Sequence, residues 1–128
     1  MSAQAEALEA LRGMIDALNP YTAVSVGALP PGNGLSVTLS AGREGETTLA
    51  LSRMLQLDVV FNARHESQRL ALDTLCRIHE ALARQTDLPG GDGWQMIAIH
   101  TGSAPGLIEQ QRGHWLYGSA LTVICTVD

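Results

Sequence analysis

The strongest periodic pattern in the chain runs from residue 64 to residue 85, where apolar side chains recur at helical spacing. At 100° per residue they fall on one broad face, and the charged side chains collect opposite it. Asn62 is placed to cap the start, and the glycine-rich segment 87–93 ends the pattern. We therefore expect a helix over 64–85 that lies on a sheet. Its apolar face consists of Leu72, Leu75, Cys76, Ile78, His79, Leu82 and Ala83, and its expected surface ion pairs are Asp73–Arg77 and Glu80–Arg84.

A second helical pattern covers residues 2–18 and has a narrower apolar stripe. Ser2 can cap its start, and Asn19-Pro20 ends it because the residue before a proline is disfavoured in helical geometry. The narrow stripe predicts packing at an edge of the protein or against a neighbouring subunit. It is formed by Leu8, Leu11, Met14, Ile15 and Leu18.

Alternation of apolar and polar positions predicts five strands. The first two, at 21–29 and 35–40, are expected to form a hairpin around a proline- and glycine-rich turn. The strand at 94–101 is apolar on both sides, which predicts a central position in the sheet. The order α-β-β-β-α-β-β then predicts one α+β domain over 1–128, with a mostly antiparallel sheet of about five strands and the long helix packed on it. The remaining strands are expected at 52–62 and 114–127.

Two connecting segments, 42–52 and 102–113, are predicted to be exposed loops. Long connections without structure of their own are usually functional, so these segments are candidates for contacts between subunits. A simple solvated hairpin tip is the alternative for the first of them. The candidate assembly residues are Arg43, Glu44, Glu46, Leu107, Ile108, Glu109 and Arg112.

The charge balance argues against tight binding of nucleic acid. The net charge is −5, and the eight basic residues, all arginine, form no basic run. Hydrophobic content of 45% is that of a folded globular protein, and no apolar run is long enough for a membrane span. The first residues lack the features of a signal peptide, so we expect a soluble intracellular protein with no membrane contact.

The residue types that carry catalysis do not occur in a recognisable arrangement in the sequence. Cys76 and Cys125 lie on apolar faces, which is typical of small buried side chains in a reducing compartment. His79 lies within the apolar stripe and is expected to be a hydrogen-bonded core residue. No nucleophile elbow or His-Glu-x-x-His pair occurs. Cys76 and His79 have the i,i+3 spacing of a metal-binding pair, but a zinc site needs three or four ligands and the other histidines have no matching spacing. The expectation is a protein that is not an enzyme, with no catalytic residue, metal or cofactor.

Several segments form a recognisable series in order and spacing. They are Val59-Val60-Phe61-Asn62, 68–78, Trp94-Gln95-Met96-Ile97-Ala98-Ile99, Pro105-Gly106-Leu107-Ile108 and 115–123. Over about residues 50 to 128, this series resembles the small minor capsid proteins that bacteriophages encode near their head–tail genes. These are similar in turn to the tail terminator proteins of long-tailed phages.

The resemblance implies a structural virion or prophage protein with a tail terminator-like fold. Such a subunit forms a homo-oligomeric ring, usually hexameric, at the head-proximal end of the tail tube. The ring ends tail polymerisation, contacts the tail tube protein and joins the head–tail connector protein, and DNA passes through without being bound tightly. The expected locations are the virion and, during assembly, the host cytoplasm. Two alternatives are a head-completion or neck adaptor of the same fold, and a small-molecule-binding α+β domain or enzyme.

Overall fold

A computed structural model describes residues 2–47 and 53–128 of the chain, and these form two helices and a six-stranded sheet. The elements are α1 (Ala3–Asp16), β1 (Val24–Val26), β2 (Gly34–Thr47), β3 (Arg53–His65), α2 (Gln68–Ala83), β4 (Gly90–Gly91), β5 (Trp94–Gln111) and β6 (His114–Val127). The strand order is β1-β2-β3-β6-β5-β4. All neighbouring pairs are antiparallel except β1 and β2. The predicted α+β class is confirmed.

The core lies between the sheet and the two helices. Alternate residues of β3 and β6 are buried, as period-two side chains on one face of a sheet should be. Both helices add to the same apolar cluster, in which α2 contacts β3, β5 and β6 while α1 contacts β1 and β2. The largest fully buried side chains include Phe61, Leu11, Leu57, Leu75 and Leu121.

Helix α2 is shorter at its start than the sequence pattern predicted. Residues 64 and 65 continue β3, so the predicted Asn62 cap is wrong, and the helix begins after Ser67. The Ser67 hydroxyl accepts a hydrogen bond from the Leu70 amide at 3.2 Å, and the His65 Nδ1 atom accepts one from the Ser67 amide at 2.9 Å. These two hydrogen bonds stabilise the short connection between the end of β3 and the start of α2.

The predicted core-facing side of α2 is confirmed in its centre. Leu75, His79 and Leu82 are buried, whereas Leu72 is half-buried at the flank of the contact. The predicted ion pairs Asp73–Arg77 and Glu80–Arg84 do not form among the described residues. Asp73 instead pairs with Arg69, 3.4 Å away and largely exposed.

Helix α1 follows its sequence signals. The Ser2 hydroxyl accepts a hydrogen bond from the Ala5 amide at 3.2 Å, which confirms the predicted cap. The helix ends at Asp16, and its buried side chains Ala7, Leu11 and Ile15 pack over the β1–β2 side of the sheet. Of the two predicted alternatives, an edge of the protein or a neighbouring subunit, the structure shows the first, because α1 packs on the β1–β2 side of its own sheet.

The first two strands are not the predicted hairpin, because β1 is parallel to β2, with Val24 opposite Leu35. The connecting segment 27–33 runs back along the strand instead of turning tightly. Arg64 holds this segment from β3, since its Nε atom donates to the Gly32 carbonyl at 2.8 Å and its guanidinium also contacts the Pro30 carbonyl. Its position is therefore determined by a side chain far away in sequence.

The two segments predicted as exposed loops are mainly strands. Strand β2 continues through residues 42–47 in pairing with β3, and residues 48–52 lie outside the described part of the chain. Strand β5 continues through 102–111, and only Arg112 and Gly113 form the turn to β6, with Gly113 at a φ of 76°. The predicted twelve-residue loop is therefore one arm of a β-hairpin.

The prediction that 94–101 forms a central strand is also wrong. Within residues 2–47 and 53–128, only β4 pairs with the outer edge of β5, at Trp94 and Gln95. Ile97 is 47% exposed, so the strand is not buried on both faces. The apolar run that suggested a fully buried strand therefore belongs to a strand next to the edge.

Candidate assembly surface

The most exposed apolar side chains of the described residues lie on the outer half of β5. Every residue from His100 to Gln110 is exposed except Pro105, which is half-buried. Leu107 and Ile108 are 52% and 56% exposed, so both candidate residues lie on the surface. Two large apolar side chains next to each other in sequence are therefore exposed on one strand.

Leu107 and Ile108 occupy opposite faces of this strand. Leu107 is level with Tyr117, on the side that faces the helices, where Gln68 of α2 donates to the Tyr117 hydroxyl at 2.9 Å. Ile108 lies across Gly118 on the other side, because a Cβ atom added at residue 118 would clash with the Ile108 Cδ1 atom. The strand therefore presents apolar surface on both sides at one level.

Glu109 and Arg112 complete this group at the end of the hairpin, and both are exposed. Glu109 is level with Leu116, and Arg112 lies in the two-residue turn. The backbone carbonyl of Arg112 is 3.4 Å from the Nδ1 atom of His114. This end of the hairpin has one charge of each sign.

Arg43, Glu44 and Glu46 lie on β2, where the backbone of Arg43 and Glu44 pairs with Gln56 and Leu55. The positions of these three side chains are outside the described part of the structure. Because β3 and β6 separate β2 from β5, the fold does not bring the two groups of candidates together. The two groups lie towards opposite edges of the sheet.

Two surface cavities are lined mainly by apolar atoms. One, of about 250 Å³, lies between the start of α1 and the ends of β3 and β6, and its side chains include Gln4, Arg53 and Leu55. The other, of about 240 Å³, lies between the helices beside Met14 and Leu82. Their lining contains no histidine, cysteine or carboxylate.

The buried titratable groups are held in their neutral forms. Burial lowers the pKa of His79 below its ordinary value. The neighbouring Glu80 carboxylate has the opposite but smaller effect. The His79 Nε2 atom lies 3.2 Å from the Thr101 hydroxyl, and its buried Nδ1 atom has no partner among the described residues. The predicted core position of His79 is confirmed, but its hydrogen bonding is only half satisfied.

The cysteines are not activated as nucleophiles. Burial raises the pKa of Cys125 to about 11, and burial together with Glu80 and Asp73 raises the pKa of Cys76. Cys125 is buried as predicted, whereas Cys76 is half-buried. Within residues 2–47 and 53–128, no group of three or more histidine, cysteine or acidic side chains could hold a metal ion.

Tyr21 has a structural position. Its hydroxyl shares a hydrogen bond between the Gly34 carbonyl at 2.8 Å and the Arg64 carbonyl at 3.0 Å. Burial raises the pKa of Tyr21 to about 12, so the phenol stays protonated and keeps donating at neutral pH. Its ring meets His65 edge to face, with the centroids 4.7 Å apart.

The exposed edge of β5 was missed at the sequence level, although the sequence contains a signal for it. From Trp94 to Ile108 there is no acidic residue, lysine or arginine. Natural edge strands commonly carry such charges, whereas the prediction of a central strand rested on the apolar residues on both sides of 94–101. An exposed edge strand without charged residues is unusual, and this lack of charge distinguishes β5 from ordinary solvated edge strands.

Comparison with protein-family models finds no match for this chain, and comparison with curated proteins finds none either. No helix of the described residues is long and apolar enough to cross a membrane.

Proposed function

We propose that this protein is a structural virion or prophage protein of the tail terminator type. It forms a homo-oligomeric ring, which is usually a hexamer in proteins of this type. The ring ends polymerisation of the tail tube and joins the head–tail connector. The tail tube protein and the connector are its partners, and DNA passes through the ring without tight binding. The protein acts through surfaces and uses neither a cofactor nor catalysis.

The observation that carries this proposal is that the two groups of candidate contact residues lie towards opposite edges of one sheet. A subunit of a ring needs two different contact surfaces, one for each neighbour. The exposed pair Leu107 and Ile108 is on one side, and the backbone of Arg43 and Glu44 is on the other. The α+β fold and the net charge of −5 suit a passive channel for DNA.

The direct test is negative-stain electron microscopy of the purified protein together with light scattering. Rings with the mass of about six subunits are the expected result. A stable monomer that binds a small molecule in one of the two cavities would instead favour the alternative of a binding domain or enzyme.

A genetic experiment separates the terminator from a neck adaptor. In a phage or prophage that carries this gene, its removal should give particles with tails of uncontrolled length. Tails of normal length that fail to join heads would support the head-completion or neck adaptor alternative.

A further inference from the structure

The outer edge of β5 has hydrogen-bonding groups that no other described strand uses. β4 pairs only with Trp94 and Gln95, and the last contact on this side is the hydrogen bond from the Met96 amide to the Pro89 carbonyl at 3.0 Å. Residues 97–111 therefore have no neighbouring strand on this side within the described chain. Exposed backbone amides and carbonyls of this kind are a template for another strand.

This edge lacks the charges that usually prevent pairing. No acidic residue, lysine or arginine occurs between Trp94 and Ile108. Of the five exposed large apolar side chains among the residues whose burial is described, Ile97, Leu107 and Ile108 lie on it. Leu107 and Ile108 lie on opposite faces of β5, so one flat surface cannot contact both. The geometry favours a strand as the partner over a flat surface.

The same sheet has a second open edge. β1 covers β2 only at Leu35–Val37, and beyond these residues β2 has no partner on that side among the described residues. The longest regular run without a bulge is Ala98–Thr101 on the open edge of β5 and Ala41–Glu44 on that of β2. Two such edges on opposite sides of one sheet can join successive copies.

Strand direction agrees with this pairing. β2, β3, β6 and β5 alternate in direction, so β5 runs opposite to β2. When the sheet continues into a second copy with the same orientation, β5 therefore meets the β2 of that copy in antiparallel fashion. Every neighbouring pair from β2 onward would then keep one hydrogen-bonding pattern.

We infer that a second copy of this chain docks its β2 edge on the β5 edge, so that the subunits join head to tail through a continuous sheet. This inference rests on the self-association part of the proposed function. A head-to-tail contact closes into a ring when the rotation between copies allows it. Bulges after Thr101 and after Leu107 bend β5, which favours a rotation over a straight repeat.

The test places one lysine on each edge and measures mass by light scattering over a wide range of concentration. Leu107→Lys places a charge on the β5 edge. Ser40→Lys places one at an exposed position of β2, where it also removes the hydrogen bond that the Ser40 hydroxyl donates to the Asp58 carbonyl of β3 at 3.1 Å. Each is expected to weaken self-association about tenfold or more. Leu70→Lys on α2 is the matched control, because Leu70 is exposed to a similar degree, 47%, and is expected to leave the mass unchanged.

Mixing the two edge variants gives the sharpest result. Leu107→Lys keeps an intact β2 edge and Ser40→Lys keeps an intact β5 edge, so an equimolar mixture should form a one-to-one dimer that does not grow. If Ser40→Lys alone dimerised and the mixture formed no mixed species, β5 would pair with β5 and the inference would be wrong. Circular dichroism of each variant checks folding, and Ile97→Lys is the second β5 variant if Leu107→Lys does not fold.

Failure of this inference differs visibly from failure of the proposed function. Rings that persist in all edge variants would overturn the strand pairing and leave the ring itself as support for a terminator. A native protein that is monomeric at every concentration would also overturn the pairing, while the tail-length experiment would still decide the function.

Discussion

Leu75 provides the most direct test of the core at the scale of a single residue. Its side chain is only 1% exposed, between α2 and the sheet. Leu75→Ala should lower the free energy of unfolding by about 2–4 kcal/mol, because apolar burial is lost and a cavity remains. Chemical denaturation measures the change.

Leu70→Ala on the same helix is the control for this substitution. Leu70 is 47% exposed, so its truncation should change stability by about 0.5 kcal/mol or less. If the two variants had equal denaturation midpoints, α2 would not face the core through Leu75.

His79 predicts a pH dependence of stability. Because burial lowers its pKa in the folded state below the ordinary value of 6.5, the unfolded chain takes up its proton first as pH falls. Its contribution is therefore fully present above pH 6.5 and is lost as pH falls through the folded-state pKa. We expect the free energy of unfolding to decline more steeply below pH 6.5 than it does in His79→Asn.

The comparison with His79→Asn removes the contribution of the carboxylates, which both proteins share. His100→Asn is the matched control for the loss of an imidazole, since the His100 side chain is exposed. Parallel stability profiles for the native protein and His79→Asn between pH 7.5 and 5 would show that His79 is not buried in its neutral form.

At the scale of elements, regular patterns were predicted well and interrupted ones were not. The centre of α2 could be predicted because Leu75, Ile78 and Leu82 recur at helical spacing. The outer half of β5 could not, because Gly102, Pro105 and Gly106 have the composition of a loop and its bulges break the alternation. A bulged strand is held by its neighbour, which a local pattern does not contain.

The parallel pairing of β1 with β2 likewise could not be predicted from the local sequence pattern. Its proline- and glycine-rich connection has the chemistry of a turn, yet its path is determined by Arg64, more than thirty residues away. The predicted contact surface was found in part, since Leu107 and Ile108 are exposed as expected but lie on a strand instead of a loop.

Arg64 therefore supplies a prediction for the segment 27–33. Arg64→Met removes its donors to the Gly32 and Pro30 carbonyls and should lower the free energy of unfolding by about 1–2 kcal/mol. Limited proteolysis should also cut this segment faster. In the control Arg69→Met, an exposed ion pair is lost and the effect should be about 0.5 kcal/mol or less. Unchanged proteolysis of Arg64→Met would contradict the role of Arg64.

At the scale of the whole molecule, the charges predict weak interaction with DNA. Arg12 pairs with Glu9 and Asp16, Arg69 pairs with Asp73, and Arg64 binds backbone carbonyls. With a net charge of −5, we expect no binding of duplex DNA at physiological salt, measured by fluorescence anisotropy. A salt-sensitive micromolar affinity would contradict a passive channel and reopen the question of function.

The position of β6 in the middle of the sheet has a consequence for how the chain folds. Its partner β3 precedes it by about sixty residues, and the Thr122 hydroxyl meets the Asp58 carboxylate across a separation of 64 residues. β3 therefore cannot gain its second neighbour until the ribosome has made residues 115–127. Until then the apolar faces of β3 and α2 stay incompletely covered, which exposes the newly made chain to aggregation.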